Sequence, residues 1–309
     1  MSMTPRVEPE NSRSPRAHST GAAGLRAGAT LLMVLTALAV PLPRARCQSG
    51  ALSAGTDSNR TSSSDSTYHL VSKHDVVMLV GAAVATAAAA PFDGTVQHAM
   101  RADDIHHGRG LQAAANGFAF LGGPGPFVGA AALYVVGRAT QSNRVATLGV
   151  TLTEGVVLAA TLNGLVKGFS GRELPNATTH DPGDFSFGRG FHDNNGPFVS
   201  FPSGHTAASF AAAAVIASTV QAWSPAASRV VSPAAYTTAT LVAVSRLYQN
   251  VHWASDLPLG AAIGIWSGRT VVAWQGRHPE NWLSRRLLDL QVAPSKRSLT
   301  ITESISVTP

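Results

Sequence analysis

One cysteine, Cys47, occurs in 309 residues, so neither an intrachain disulfide nor a cysteine metal cluster can hold this chain together. Charge is scarce too, with 13% charged residues against 45% hydrophobic ones. The formal charge of +6 would suit a polyanionic partner only if it were gathered on one surface. Instead Arg6, Arg13, Arg16, Arg26, Arg44 and Arg46, set against Glu8 and Glu10, place +4 of it in residues 1–46. The remaining +2 forms no basic run with interleaved aromatics, which argues against nucleic acid as a partner. Strongly apolar runs are also missing. Alanine supplies much of the apolar count, so the apolar segments are only weakly hydrophobic. Sustained two-residue alternation is absent until the tail, which argues against a sheet-based fold.

What is present divides the chain. Residues 1–47 read as a signal peptide or N-terminal anchor: a basic leader, an apolar run from about Ala27 to Leu42, then Pro43-Arg44-Ala45-Arg46. That run is short for a membrane span, which needs about 20 residues. Arg46 also argues against lipidation of Cys47, because processing sites favour small residues. Residues 48–73 are rich in Ser, Thr, Asn and Gly and read as a flexible linker. Apolar runs at 76–90, 111–121 with 127–137, 145–166, 205–222, 234–248 and 257–274 have helical length and alanine content. Together they predict an all-α domain over 74–275, a bundle of about six core helices. Gly122-Gly123-Pro124-Gly125-Pro126 breaks the second run. A long irregular insertion at about 170–201 is too long for an idle connection. Residues 276–309 form a tail in which Leu299-Thr300-Ile301-Thr302 is the one strand-like stretch.

Two clusters carry chemistry. Pro202-Ser203-Gly204-His205-Thr206 closes the insertion and opens an Ala-rich helix. Ser203 suits the helix cap and Gly204 lets a ligand approach the backbone closely. The unpaired N–H groups of a helix start attract anions. The second cluster runs from Ser245-Arg246 to His252 and Asp256. An i, i+4 spacing puts the imidazole and carboxylate on one face, where the carboxylate fixes the tautomer and leaves the other ring nitrogen free to attack.

These segments resemble the second and third signature motifs of the type 2 phosphatidic acid phosphatase superfamily. That superfamily includes bacterial class A acid phosphatases, lipid phosphatases and vanadium haloperoxidases. The resemblance covers about residues 76–274 and implies a PAP2/haloperoxidase-like helical fold with the insertion before the second motif. It implies a metal-independent phosphomonoesterase, with no cofactor, acting on a lipid phosphate or small phosphate ester. His252 would be the nucleophile, carrying a phosphohistidine, with Asp256 orienting it and His205 as general acid. Ser203, Gly204 and Arg246 would hold the phosphoryl oxygens. Two alternatives remain open: vanadium-dependent halide oxidation with His252 as the vanadate ligand, and a degenerate, non-catalytic phosphate-binding or scaffold protein.

The first family motif is a lysine, six residues, then Arg-Pro. In Lys167-Gly168-Phe169-Ser170-Gly171-Arg172-Glu173-Leu174-Pro175 the lysine and proline are in place, but Leu174 occupies the arginine position. Lys167 joins the expected phosphate ligands, and Arg172 is the first candidate for the missing cation, with Arg189 the second. Asp103-Asp104-His106-His107 and His180, Asp181, Asp184, His192 and Asp193 read as loop residues. Glu154 is notable as a lone carboxylate in an apolar run. The leader favours an exported, periplasmic protein of the cell envelope, with membrane association left open; the alternative is an integral inner-membrane protein.

Overall fold

The computed structural model describes residues 71–101, 108–177, 181–192, 196–278, 290–294 and 299–303. The leader, nearly all of the linker, and the Asp103-Asp104-His106-His107, His180 and Asp193 positions lie outside the described residues. Helix α1 (Lys73–Ala89) starts where composition turns apolar. Ser72 caps it, accepting from the Asp75 N–H at 3.2 Å while its own N–H donates to the Asp75 carboxylate at 2.9 Å. A 3₁₀ turn (Ala90–Phe92) containing Pro91 leads into the short α2 (Asp93–Met100). Then follow α3 (Arg109–Gly122), α4 (Gly125–Ala139) and α5 (Asn143–Ser170). The second half comprises α6 (Gly204–Trp223), α7 (Pro225–Tyr248) and α8 (Asp256–Arg277). The fold is all-α; the tail adds only a small antiparallel pair, β1 (Leu290–Pro294) with β2 (Leu299–Glu303).

The expected six core runs are all helical, with two adjustments. The Gly-Pro break turns the second run into two helices, α3 and α4, bent by 61°. Helix α7 begins nine residues before the expected 234 and carries Pro233 inside it. Capping explains the early start, because the Ser224 side chain accepts from the Ala227 N–H at 3.2 Å and Pro225 sits in the first turn.

Helix α6 is the axis of the bundle and packs on α5, α7 and α8. Its pairing with α8 depends on a stripe of glycines. A Cβ at Gly260 would lie 2.7 Å from the Ser203 carbonyl, one at Gly268 2.5 Å from that of Ala211, and one at Gly264 would collide with that of Ala207. The two backbones therefore touch, as in small-residue helix pairs within membranes. Ala207, Ala211 and Val215 then join Leu152, Val156 and Ala159 of α5 in one core cluster.

The insertion is ordered around its first few residues. Gly171 ends α5 in the left-handed conformation (φ 51°), and a Cβ there would collide with the Ser186 carbonyl. The backbone of 171–174 then bonds to 184–186 on one side and to 197–200 on the other, through Ser186 N–H to Gly171, Glu173 N–H to Asp184, Leu174 N–H to Pro197 and Ser200 N–H to Arg172. Neighbouring backbone on both sides thus holds the first-motif segment rigidly.

Candidate active site

The end of α5, the start of α6, the end of α7 and the start of α8 meet at one end of the bundle. Ser203 caps α6, accepting from the Thr206 N–H at 3.4 Å and its hydroxyl at 2.9 Å. Its own N–H donates to the Asp256 carbonyl at 3.1 Å, which ties the second motif to the third. The Phe201–Pro202 peptide just before it is cis.

His252 and Asp256 face each other as their spacing suggested, with Nδ1 3.3 Å from Oδ2. The geometry is a loop-to-helix turn, since Asp256 is the first residue of α8 and His252 lies in the loop before it. Asp256 is fully buried and well supplied with donors. Oδ2 also accepts from the Ser200 hydroxyl at 2.6 Å and the Trp253 N–H at 2.8 Å. Oδ1 accepts from Arg172 at 2.6 Å. Trp253 is anchored in turn by its indole N–H on the Glu173 carbonyl at 2.8 Å. Burial holds the His252 imidazole below its ordinary pKa; the Asp256 hydrogen bond opposes this and the Lys167 charge adds to it.

Around that pair the structure gathers His205, Lys167 and Arg246, which lie within electrostatic reach of one another and of His252. Lys167 Nζ donates to the Val199 carbonyl. Arg246 Nη1 is held by Gln249, which is held by Asn116 of α3 at 2.9 Å. The buried Arg246 Nε has no protein partner among the described residues. A buried guanidinium donor without a protein partner is suited to an anionic oxygen.

His205 reveals a reason for the Gly-Pro break that periodicity could not. A Cβ at Gly122 would come within 3.0 Å of the His205 Cβ and collide with Val242, and one at Gly123 would lie 3.3 Å from His205 Nε2. The glycines at the α3–α4 bend make room for the imidazole.

Arg172 lies elsewhere than its expected place among the phosphate ligands. It is buried behind Asp256, and its donors are engaged there: Nη1 with Asp256 (2.6 Å) and Ser255 Oγ (2.7 Å), Nη2 with Asp93 and the Pro182 carbonyl (both 2.7 Å), and Nε with Pro182 (3.1 Å). Two carboxylates and a carbonyl hold it there. Arg189 stacks on the Phe198 ring, its guanidinium carbon 3.6 Å from the centroid. The residue missed in sequence is Asp93, fully buried against Arg172 and Ser255. Its only signal was a lone acid just after Pro91-Phe92. Glu154 accepts a 2.7 Å hydrogen bond from Gln275 of α8, well away along α5.

Comparison with known proteins agrees with this architecture. Residues 148–280 match the PAP2 superfamily. A stretch of 86 residues is 43% identical to a lipid A 1-phosphatase of Porphyromonas gingivalis, covering 28% of this chain and 18% of that protein, so the chain spans under a fifth of that relative's length. Among solved structures, a transmembrane PAP2-type phosphatidylglycerolphosphate phosphatase from Bacillus subtilis superposes with a TM-score of 0.51 at 19% identity, over 66% of this chain and 96% of that one. The fold is therefore shared. Residues 148–280 are thus similar to the PAP2 superfamily, and the helical body that contains them has the fold of a PAP2-type phosphatase.

Proposed function

We propose that the chain is a phosphomonoesterase acting on a lipid phosphate from within a membrane, through a phosphohistidine on His252 and without a metal. The observation that carries this reading is the convergence of a buried His252–Asp256 pair with Lys167, His205 and an unpartnered Arg246 Nε at the start of α6. Asp256 engages Nδ1, so Nε2 is the nitrogen that attacks phosphorus. The leaving alkoxide takes its proton from His205. Water, deprotonated by His205, then cleaves the N–P bond and releases phosphate. Lys167, Arg246, Ser203 and the Gly204 N–H hold the phosphoryl oxygens throughout, the electrostatic stabilisation that phosphoryl transfer needs most.

The lipid assignment draws on the lipid-phosphatase relatives and on the exposed apolar surface. Among the described residues, three helical stretches, Lys73–Met100, Asn143–Ser170 and Gly204–Trp223, are long and apolar enough to cross a membrane, and a fourth counts if the bent α3–α4 pair is one span. No residue in the apolar window of the first is fully buried within the protein.

The test is phosphate release by the full-length chain in detergent, from a lipid phosphate and from a chromogenic ester, with a chelator present. The wild type is expected to turn over both, His252→Ala neither, and His205→Ala the lipid far more slowly than the ester, whose leaving group needs little protonation. Activity that survives in His252→Ala, or that a chelator abolishes, refutes the mechanism.

A further inference from the structure

Asp93 lies upstream of the PAP2-matched residues 148–280, yet it is 1% exposed and bound to the segment that carries the nucleophile. Its carboxylate accepts from the Ser255 N–H at 2.9 Å, the Ser255 hydroxyl at 2.5 Å and Arg172 Nη2 at 2.7 Å. A guanidinium, a backbone N–H and a hydroxyl thus converge on its two oxygens, a donor set that suits the carboxylate form. Helix α2 is fixed so that it can reach. Val96 packs with Ala243, Leu247, Ala254 and Leu257, and Gln97 Nε2 donates to the Pro175 carbonyl at 2.8 Å. One two-turn helix thus grips the first-motif segment, the end of α7 and the start of α8.

We propose that Asp93 is a positioning residue for the nucleophile, acting through Arg172 and Ser255 on Asp256 and so on His252. This rests on the phosphohistidine reading above. Charge is the reason. Arg172 and Asp256 alone would form a neutral buried pair. With Asp93 the trio carries one net negative charge directly behind the imidazole. When Nε2 bonds to phosphorus while Nδ1 keeps its proton, the ring becomes cationic, and the surplus negative charge stabilises that state in a poorly solvated site. Asp93 also divides Arg172 between two carboxylates, so that Asp256 remains a strong acceptor for the Nδ1 proton. The other charged or titratable groups facing His252 are Lys167, Arg246 and His205, and none of them supplies negative charge. A carboxylate that served only packing would have been cheaper as an apolar side chain.

The proposal separates two kinetic constants. Phosphate is bound by the cage on the opposite side of the imidazole, so ground-state affinity owes Asp93 little. Full-length Asp93→Asn, assayed in detergent with p-nitrophenyl phosphate, is expected to lose about tenfold or more in kcat with KM unchanged or lower. The acid limb of its pH–kcat profile moves to lower pH, because His252 loses the negative charge that favours its protonation. Asp93→Glu recovers part of the rate. Wild-type kcat per folded molecule in Asp93→Asn, or a parallel rise in KM with an unmoved acid limb, overturns the proposal even if the melting temperature falls. Should Asp93→Asn fail to fold, Ser255→Ala keeps the backbone N–H link to Asp93 and removes the hydroxyl links. It is expected to lower kcat in the same direction but less, and an unchanged kcat overturns the proposal. Activity in His252→Ala would be a different result, since it removes the underlying function as well.

Discussion

The His252 imidazole is neutral over a wider pH range than an ordinary histidine, because burial disfavours its charged form. The sign of the consequence follows from linkage. Below the unfolded value of about 6.5 the unfolded chain binds a proton that the folded chain refuses, so stability falls as pH falls from there toward the lowered folded value. Thermal unfolding of the wild type and of His252→Gln between pH 7.5 and 5 should show the wild type losing its margin over the variant as pH drops. A constant margin would mean that His252 titrates normally. Leu174 gives a second expectation. With its donors taken by Asp93, Asp256, Ser255 and Pro182, Arg172 has none left for a phosphoryl group, so on the proposed mechanism Leu174→Arg should raise kcat/KM by about tenfold or more. A charge-assisted contact is worth about 1.5–3 kcal/mol. An unchanged or reduced rate means that another cation already fills the position. At this scale the grouping of His205, Lys167, Ser203, Gly204, Arg246, His252 and Asp256 could be expected because motif spacing is local, and the structure brings them to one end of the bundle. Arg172 was legible as present but not as to where its guanidinium points, since Asp93 lies 79 positions away.

Helices are positioned here less by large side chains than by the absence of them. Gly260, Gly264 and Gly268 let α8 lie against the α6 backbone, and that contact sets Asp256 against Ser203. Gly264→Val should therefore cost about 1–3 kcal/mol of stability, as overpacking does. It should also lower kcat, because the third motif moves away from the second. Gly276→Ala, whose new methyl meets nothing within 4 Å, should leave kcat unchanged and gain up to about 1 kcal/mol. Melting temperature and kcat measured on both variants check the pair of expectations, and equal behaviour would remove the role assigned to the stripe. Helix existence was readable from apolar length and alanine content. The early start of α7 was less so, because its apolar run begins only at 234, whereas the helix starts at the Ser224 cap and continues through Pro233.

For the whole molecule, the exposed Val76, Val77, Val80 and Val84 of α1 and Phe120, Phe127 and Val128 at the α3–α4 bend form an apolar exterior that lipid would cover at lower cost than water. The full-length chain should sediment with membranes and resist extraction at alkaline pH, and release by carbonate would contradict a membrane-embedded bundle. The sequence by itself determined the helical class, the insertion and the residues of the second and third motifs, because hydrophobic period and short spacings are properties of neighbouring residues. Only the tertiary structure decided that the Gly-Pro break houses His205, that Arg172 backs Asp256, and that Asp93 is buried beside them. Those facts depend on which distant segments are packed together, and a buried charge takes its role from the partners that burial forces on it.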